Sequence, residues 1–283
     1  MQKEAVVQRH IKAQSSGSGA RQWEVVPAGV LRFLEFTLLS LADGEAYSGS
    51  TGNRECMLDV FSGIASVEVE TGGSKETFHK VGGRSDVFSG PPCVLYIPPQ
   101  CTFHLRATSQ TFRAGLFFSP AMRPGRPSLI EGPSVVTRKV GEGSFERTVY
   151  TAISEDLPAE RLLAGETLNA PGCWSSFPPH KHDRSNPPRE ARLEEVYYFQ
   201  IQPANGFGFI WTYTAEDDPD GFNNVFVVEN GDTVLLPKGY HPVVAAPGCR
   251  LHYTWVLAGE ERRYGAWAED PKYAALKQAQ PAL

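Results

Sequence analysis

The segment "PPCVLYIPPQCTFHLRAT" (91–108) limits what this chain can fold into. Five apolar residues, Cys93 to Ile97, stand between two Pro-Pro pairs, and an alternating run follows at once. Proline fixes φ and has no N–H to donate, so a helix cannot run through either pair. What remains is a short strand, a corner and another short strand. The same punctuation recurs throughout: 27 glycines and 22 prolines in 283 residues leave few stretches long enough for a helix.

Other strand-like runs fit this pattern. "GVLRFLEFTLLSLADG" (29–44), "ECMLDVFSGIASVEVETGG" (55–73) and "TFRAGLFFSP" (111–120) complete a first β domain over 23–120. "AMRPGRPSLIEGPSVV" (121–136) reads as a linker. "ERLLAGETLNAPG" (160–172), "EEVYYFQIQPANGFGFIWTYT" (194–214), "NNVFVVENGDTVLLPKGYHPVVAAPGC" (223–249) and "LHYTWVLAGE" (251–260) form a second over 137–262. Each half contains an apolar strand that ends in proline, with a histidine a few residues later. Repetition over a whole domain implies two similar antiparallel β barrels in one chain. Residues 263–283 read as a tail with a short helix, Asp270 as its N-cap and Pro271 at its first position. "QSSGSGARQ" (14–22) reads as a flexible loop.

Charge excludes some partners. With 27 basic and 32 acidic residues the net charge is −5, and no basic stripe points to nucleic acid or a membrane surface. The amino terminus lacks a signal-peptide core, and no apolar run nears the ~18 residues of a membrane span. Cys56, Cys93, Cys101, Cys173 and Cys249 are odd in number and scattered, as expected of reduced thiols in a cytoplasmic protein. A homo-oligomer is compatible with this reading.

The chemistry concentrates in "PPHKHDRSNPPREARLEEVYYF" (178–199). On a strand, His180 and His182 share a face, with Lys181 opposite. Glu195, Tyr197 and Phe199 share one face of the next strand; Glu194, Val196 and Tyr198 share the other. Both faces are apolar, so alternation alone does not say which glutamate looks inward. "GDTVLLPKGYHPV" then brings His241 back after a Pro/Gly corner. An H-x-H in a proline-rich loop is more often solvated than metallated. The nearby carboxylate and the returning His shift the balance toward a divalent metal: imidazole suits Zn, Fe, Ni and Cu, and mixed N/O sites also take Mn.

This arrangement resembles the two-part motif of the cupin superfamily, with a longer gap: twelve residues separate His182 from Glu195. "CWSSFPPHKHD", "LEEVYYF", "GFGFIWTYT", "NGDTVLLPKGYHPVVAAPG" and "LAGEER" together resemble the 5-deoxyglucuronate isomerase family of myo-inositol catabolism, related to the 5-keto-4-deoxyuronate isomerases. The resemblance implies an all-β double cupin. By motif position it puts the ligands of one divalent ion, Zn first and Mn second, on His180, His182, Glu195 and His241. It implies aldose–ketose isomerisation of a small uronic-acid-type sugar, 5-deoxy-D-glucuronate to 2-deoxy-5-keto-D-gluconate. Hydrogen would move as a proton through an enediol or as a hydride. Asp183 and Glu194 are the candidate carboxylate bases, each with a supporting or surface role as the plainer reading. Tyr253 and Tyr213 are candidate hydrogen-bond donors. Lys181, Arg184, Arg189, Arg192 and Lys238 are candidates for the substrate carboxylate.

The chain departs from the family at Cys249 and over "HYTW" (252–255), positions expected near the pocket. The first half has no H-x-H, only Arg54, Glu55 and His104, and reads as metal-free, with His79 and His104 structural or superficial. The competing readings are a metal-dependent dioxygenase or decarboxylase and a non-catalytic sugar-acid binding protein.

Overall fold

The computed structural model describes residues 9–13 and 22–277. Strands make up 55% and helices 5%, so the all-β expectation holds for the secondary structure. The first half contributes a six-stranded sheet, built on Arg54–Ser62, Cys93–Ile97, Thr111–Pro120 and Glu35–Ala42, and a four-stranded sheet of Ala46–Ser50, Cys101–Ala107, Ile64–Thr71 and Ser74–Gly82. The second contributes a seven-stranded sheet around Leu193–Gln202, Arg250–Gly259, Leu163–Asn169 and Arg147–Ile153, and a four-stranded sheet around Phe207–Tyr213 and Val243–Ala245. The ladders are antiparallel.

Three apolar clusters hold these sheets together. Leu39, Leu58, Leu95 and Phe112 meet Val67, Val69, Phe103 and Leu105 inside the first half. Tyr197, Phe199, Leu251 and Tyr253 meet Ile210, Val228 and Val243 inside the second. The third joins the halves: Phe36, Met57, Phe61 and Phe117 pack with Ile153, Val196, Tyr198 and Val256. The Tyr198 ring lies 5.1 Å from Phe61 and 5.3 Å from Phe36. Such aromatic pairs add about 0.5–1.5 kcal/mol beyond area burial. This explains the lack of alternation in Leu193–Gln202: one face enters its own half and the other meets the partner half.

A polar cluster sits in that joint. The buried Arg84 donates to Glu166 at 2.7 and 2.5 Å, and His252 Nε2 lies 3.1 Å from the same carboxylate. Burial alone would raise the Glu166 pKa, but the Arg84 guanidinium and His252 hold it down to about 2. Burial and the neighbouring Glu166 push Asp59 well up, and the Thr254 hydroxyl donates to it. His252, expected near the pocket, therefore belongs to the joint between the halves.

Two segments cross the expected boundaries. His10–Ile11 pairs with Thr233 and Val234, so a piece preceding the first half completes a sheet of the second. Asp232 clasps it by accepting from Lys12 Nζ and the Ala13 N–H, both at 2.9 Å. The expected linker contains strand Ser128–Ile130, paired with the strand Cys93–Ile97. At the carboxyl end, the Asp270 side chain accepts from the Lys272 N–H, a 3-10 turn spans Pro271–Tyr273, and α-helix Ala274–Lys277 follows. The Gly/Ser stretch, apart from Gln22, and residues 278–283 lie outside the described residues.

Candidate metal centre

Strand phase selects the glutamate. Leu193, Glu195 and Tyr197 line a cavity in the second half. Glu194 faces the first half, where its carboxylate accepts from the backbone N–H groups of Arg32 and Phe33. Burial raises its pKa despite these bonds. Glu194, a candidate base from the sequence, is thus held away from the cavity.

His182, Glu195 and His241 converge, their ligand atoms all within 4.8 Å of one another and all three residues buried. His182 Nδ1 bonds the Leu193 carbonyl and His241 Nδ1 bonds the Gly239 carbonyl, both at 2.9 Å. A carbonyl only accepts, so each Nδ1 carries a proton. Both Nε2 atoms point at Glu195 Oε2, 3.0 Å from His182 Nε2 and 3.4 Å from His241 Nε2. Burial lowers the His182 pKa, but Glu195 and the Leu193 carbonyl outweigh it and raise it overall, so a protonated His182 can donate to the carboxylate. The buried His241 Nε2 has no hydrogen-bond partner among the described residues. With both rings neutral, two imidazole lone pairs and a carboxylate converge on one buried point, a donor set that fits a divalent ion.

The corner that delivers His241 depends on Gly239, whose φ of +97° favours glycine and where a Cβ would come 2.6 Å from the Tyr213 carbonyl oxygen. Asp183 secures the corner by accepting from the Gly239 N–H at 2.9 Å and from Lys181 Nζ at 2.5 Å. Asp183 therefore ties the H-x-H segment to the His241 corner.

His180 stands beside the triad, its ring centroid 4.8 Å from His241 and 6.3 Å from His182. Its ring bonds the Pro178 carbonyl, and Trp267 lies against it at 5.0 Å. Burial, then His241 and His182, lower its pKa well below the usual value. Burial likewise takes His241 down to about 4, although Glu195 opposes the shift. Both imidazoles are therefore neutral near pH 7, the form that binds metal.

The cavity, of about 260 Å³, is lined mainly by apolar and aromatic side chains, with His180, His182 and Glu195 in its wall. Tyr253 lines it and donates to Ser175 Oγ at 2.9 Å. Trp255 also lines it, whereas Cys249 packs in the core of the second half. Tyr213 lies elsewhere, its hydroxyl donating to Asp270 at 2.6 Å.

The basic residues nearest the motif do not line the cavity. Lys181 is buried against Asp183 and Glu190, Arg184 pairs with Asp217, and Lys238 with Asp218. Arg189 and Arg192 are exposed. The cavity instead receives Arg147, Arg263, Trp267 and Glu269, none of them identified from the sequence. Arg147 comes from a strand outside the motif, and the other three from the segment that folds back so that Ala268–Glu269 pairs with His180–Lys181. No local pattern marks either.

Comparison with known proteins places this geometry. A family model described as the KduI/IolB family matches residues 9–276. The 5-deoxy-glucuronate isomerase of Geobacillus kaustophilus HTA426 is 36% identical over 237 residues, 82% of each chain. That of Bacillus subtilis 168 is 34% identical, covering 83% of this chain and 84% of its own. The crystal structure of an IolB-like protein from Salmonella typhimurium LT2 superposes with a TM-score of 0.86 at 27% identity, over 95% of this chain and 99% of that one. Oxalate decarboxylase from Lactobacillus farciminis shares the cupin-like fold at TM-score 0.68 and 12% identity, covering 97% and 92%. The match spans both halves and the cavity between its walls, and the chain belongs to the KduI/IolB family.

Proposed function

We propose that this chain is a metal-dependent aldose–ketose isomerase that converts 5-deoxy-D-glucuronate to 2-deoxy-5-keto-D-gluconate in myo-inositol catabolism. The family match and the isomerase relatives support the reaction. The convergence of His182, Glu195 and His241 at an aromatic-walled cavity carries the metal dependence. We read the molecule as a double cupin, with barrels over 23–120 and 137–262 and a tail over 263–283. The five buried, unpaired cysteines suit a reducing cytoplasm. Among the described residues no helix is long and apolar enough to cross a membrane.

His182, Glu195 and His241 would hold one divalent ion, zinc or manganese, and His180 would join them by turning from the Pro178 carbonyl. Bound there, the ion supplies a Lewis acid that polarises a carbonyl and acidifies the adjacent hydroxyl. The protein's own groups do the rest. Tyr197 lines the cavity and burial raises its hydroxyl pKa, so it keeps its proton and can donate to a substrate oxygen, whereas Tyr253 gives its proton to Ser175 and offers a substrate hydroxyl an acceptor. Trp255, Tyr264 and Trp267 limit the water that reaches the reacting carbons. Asp183 holds the His241 corner in position.

Elemental analysis followed by NMR of a 5-deoxyuronate incubated with the protein tests this reading. The loaded protein should convert aldehyde signals to ketose signals. A chelator should stop conversion while the circular dichroism of the β structure persists, because each half has its own core. Full turnover after complete metal removal overturns the metal's role. A loaded protein that leaves the uronate unchanged overturns the reaction.

A further inference from the structure

A sugar acid that places its aldehyde end at the triad must put its carboxylate elsewhere in the cavity, and a buried carboxylate needs a cation. The candidates fall quickly. Lys181, Arg184 and Lys238 are already paired with Asp or Glu and lie outside the lining. Arg262 is engaged by the backbone carbonyls of Leu162, Glu155 and Ser154. Arg84 is fixed on Glu166 in the joint between the halves. Arg263 lines the cavity but is exposed at its rim.

Arg147 differs. It is half-buried, lines the cavity and forms no ion pair with any described carboxylate. Among the described residues its one side-chain hydrogen bond is Nη1–H to the Phe145 carbonyl at 3.0 Å, which steadies the side chain and leaves the other N–H donors available. The groups that feel its charge are Tyr253, Tyr264 and His180, all in the cavity wall. Burial lowers its proton affinity, opposed only by Tyr253 and Tyr264.

Sheet order and register set its place. From the strand of Glu195 the sheet passes through the strands of Tyr253 and of Thr167 to that of Arg147, three strand spacings or about 14 Å across. The register sets Arg147 level with Ile201, six residues along the sheet from Glu195, so the two stand on a diagonal of the sheet. Tyr253, Trp255 and Thr167 lie between them in the wall of the same cavity, and His180 beside the triad feels the Arg147 charge.

We infer that Arg147 anchors the substrate carboxylate and thereby selects sugar acids over neutral sugars. The inference rests on the isomerase reading, and it deepens it by naming the specificity residue of the same site. Guanidinium binds carboxylate through two parallel hydrogen bonds, and removing it leaves the substrate's charge without a partner in a poorly solvated place.

The test compares wild-type, Arg147→Met and Arg147→Lys proteins with matched metal content. The probes are the 5-deoxyuronate, the same aldose with a primary alcohol in place of the carboxylate, and D-glucuronate as a binding ligand followed by calorimetry. In Arg147→Met, kcat/KM for the uronate should fall at least on the order of 100-fold, mainly through KM, with a far smaller loss on the alcohol. Arg147→Lys should recover part of the loss. Preference for the uronate kept within twofold in Arg147→Met overturns the inference. If the wild type turns over neither sugar, the isomerase reading fails, and glucuronate binding decides the anchor. Loss of that binding in Arg147→Met supports the anchor, and equal binding overturns it.

Discussion

In the first half, strand Arg54–Ser62 sets Cys56 opposite Ile97; in the second, strand Leu193–Gln202 sets Glu195 opposite Leu236. Both partner strands then enter a proline corner with one residue at positive φ, Gln100 at 62° and Gly239 at 97°. After the corner the chain turns Cys101 into the core of the first half, and His241 toward the triad of the second. The Glu195 position of one half is thus a buried thiol, Cys56, in the other, and the His241 position falls on Thr102. The residue just before Cys56 or Glu195 has one role in both. Glu55 accepts from the N–H groups of Glu160, Arg161 and Leu162 at 2.7 to 2.8 Å, and Glu194 accepts from those of Arg32 and Phe33. Each half reaches across with a glutamate and grips the other's incoming backbone. A shared frame thus carries a shared joint, while the residues on the opposite strand face and after the corner differ between the halves, and His182, Glu195 and His241 converge only in the second.

Glu195→Gln breaks that comparison with the largest effect. Glutamine keeps an oxygen donor but loses the charge that neutralises the ion. Altering groups that merely support a metal ligand costs ~10–100-fold, so losing a charged ligand should exceed about 100-fold in turnover. Metal content by elemental analysis should fall with it. A fully loaded, active Glu195→Gln protein would remove Glu195 from the ligand set.

Glu55→Gln and Glu194→Gln test the joint. Each exchanges a carboxylate that accepts several backbone N–H bonds for an amide with one acceptor oxygen. Charge-assisted bonds contribute about 1.5–3 kcal/mol each, and part of that is retained, so each variant should lose about 2–3 kcal/mol. For a chain this size that lowers Tm by roughly 4–12 °C. Metal content should be unchanged in both. If Glu194→Gln loses metal while Glu55→Gln does not, Glu194 serves the site and the equivalence of the pair is lost.

The all-β class and the convergence of His182, Glu195 and His241 were legible in the sequence because both rest on local rules. Proline corners between Cys93 and Cys101 rule out helices, and His182, Glu195 and His241 sit at motif positions whose strands return to one point. Glu194 was readable as being on the opposite face from Glu195, but not as a clasp, because its partners at Arg32 and Phe33 lie about 160 residues away. Arg147 was missed for the same reason: sheet order, not sequence distance, brings it to the cavity. The basic residues close to the motif drew attention by proximity, yet Lys181 and Lys238 neutralise nearby acids. Strand His10–Ile11 was invisible because two residues carry no period, and its place depends on the Asp232 clasp.

The smallest effect belongs to Cys56→Ala. Cys56 occupies the position of Glu195 but is fully buried among Leu58, Leu95 and Ile97 in the core of the first half. Burial pushes its thiol pKa far up, with Glu35 and Glu55 adding to the shift and Arg54 only partly opposing it, so it is neither a thiolate ligand nor a nucleophile at neutral pH. Its contribution is packing. Removing one sulfur leaves a cavity smaller than a methylene pair, which costs about 1 kcal/mol and lowers Tm by roughly 2–4 °C. Metal content and turnover should match wild type, and native Cys56 should resist alkylation until the protein unfolds. A Cys56→Ala protein that loses metal as Glu195→Gln does would mean that the first half communicates with the site through its core. The thiol at 56 would then be part of the functional machinery rather than the filling of a frame whose other copy carries the chemistry.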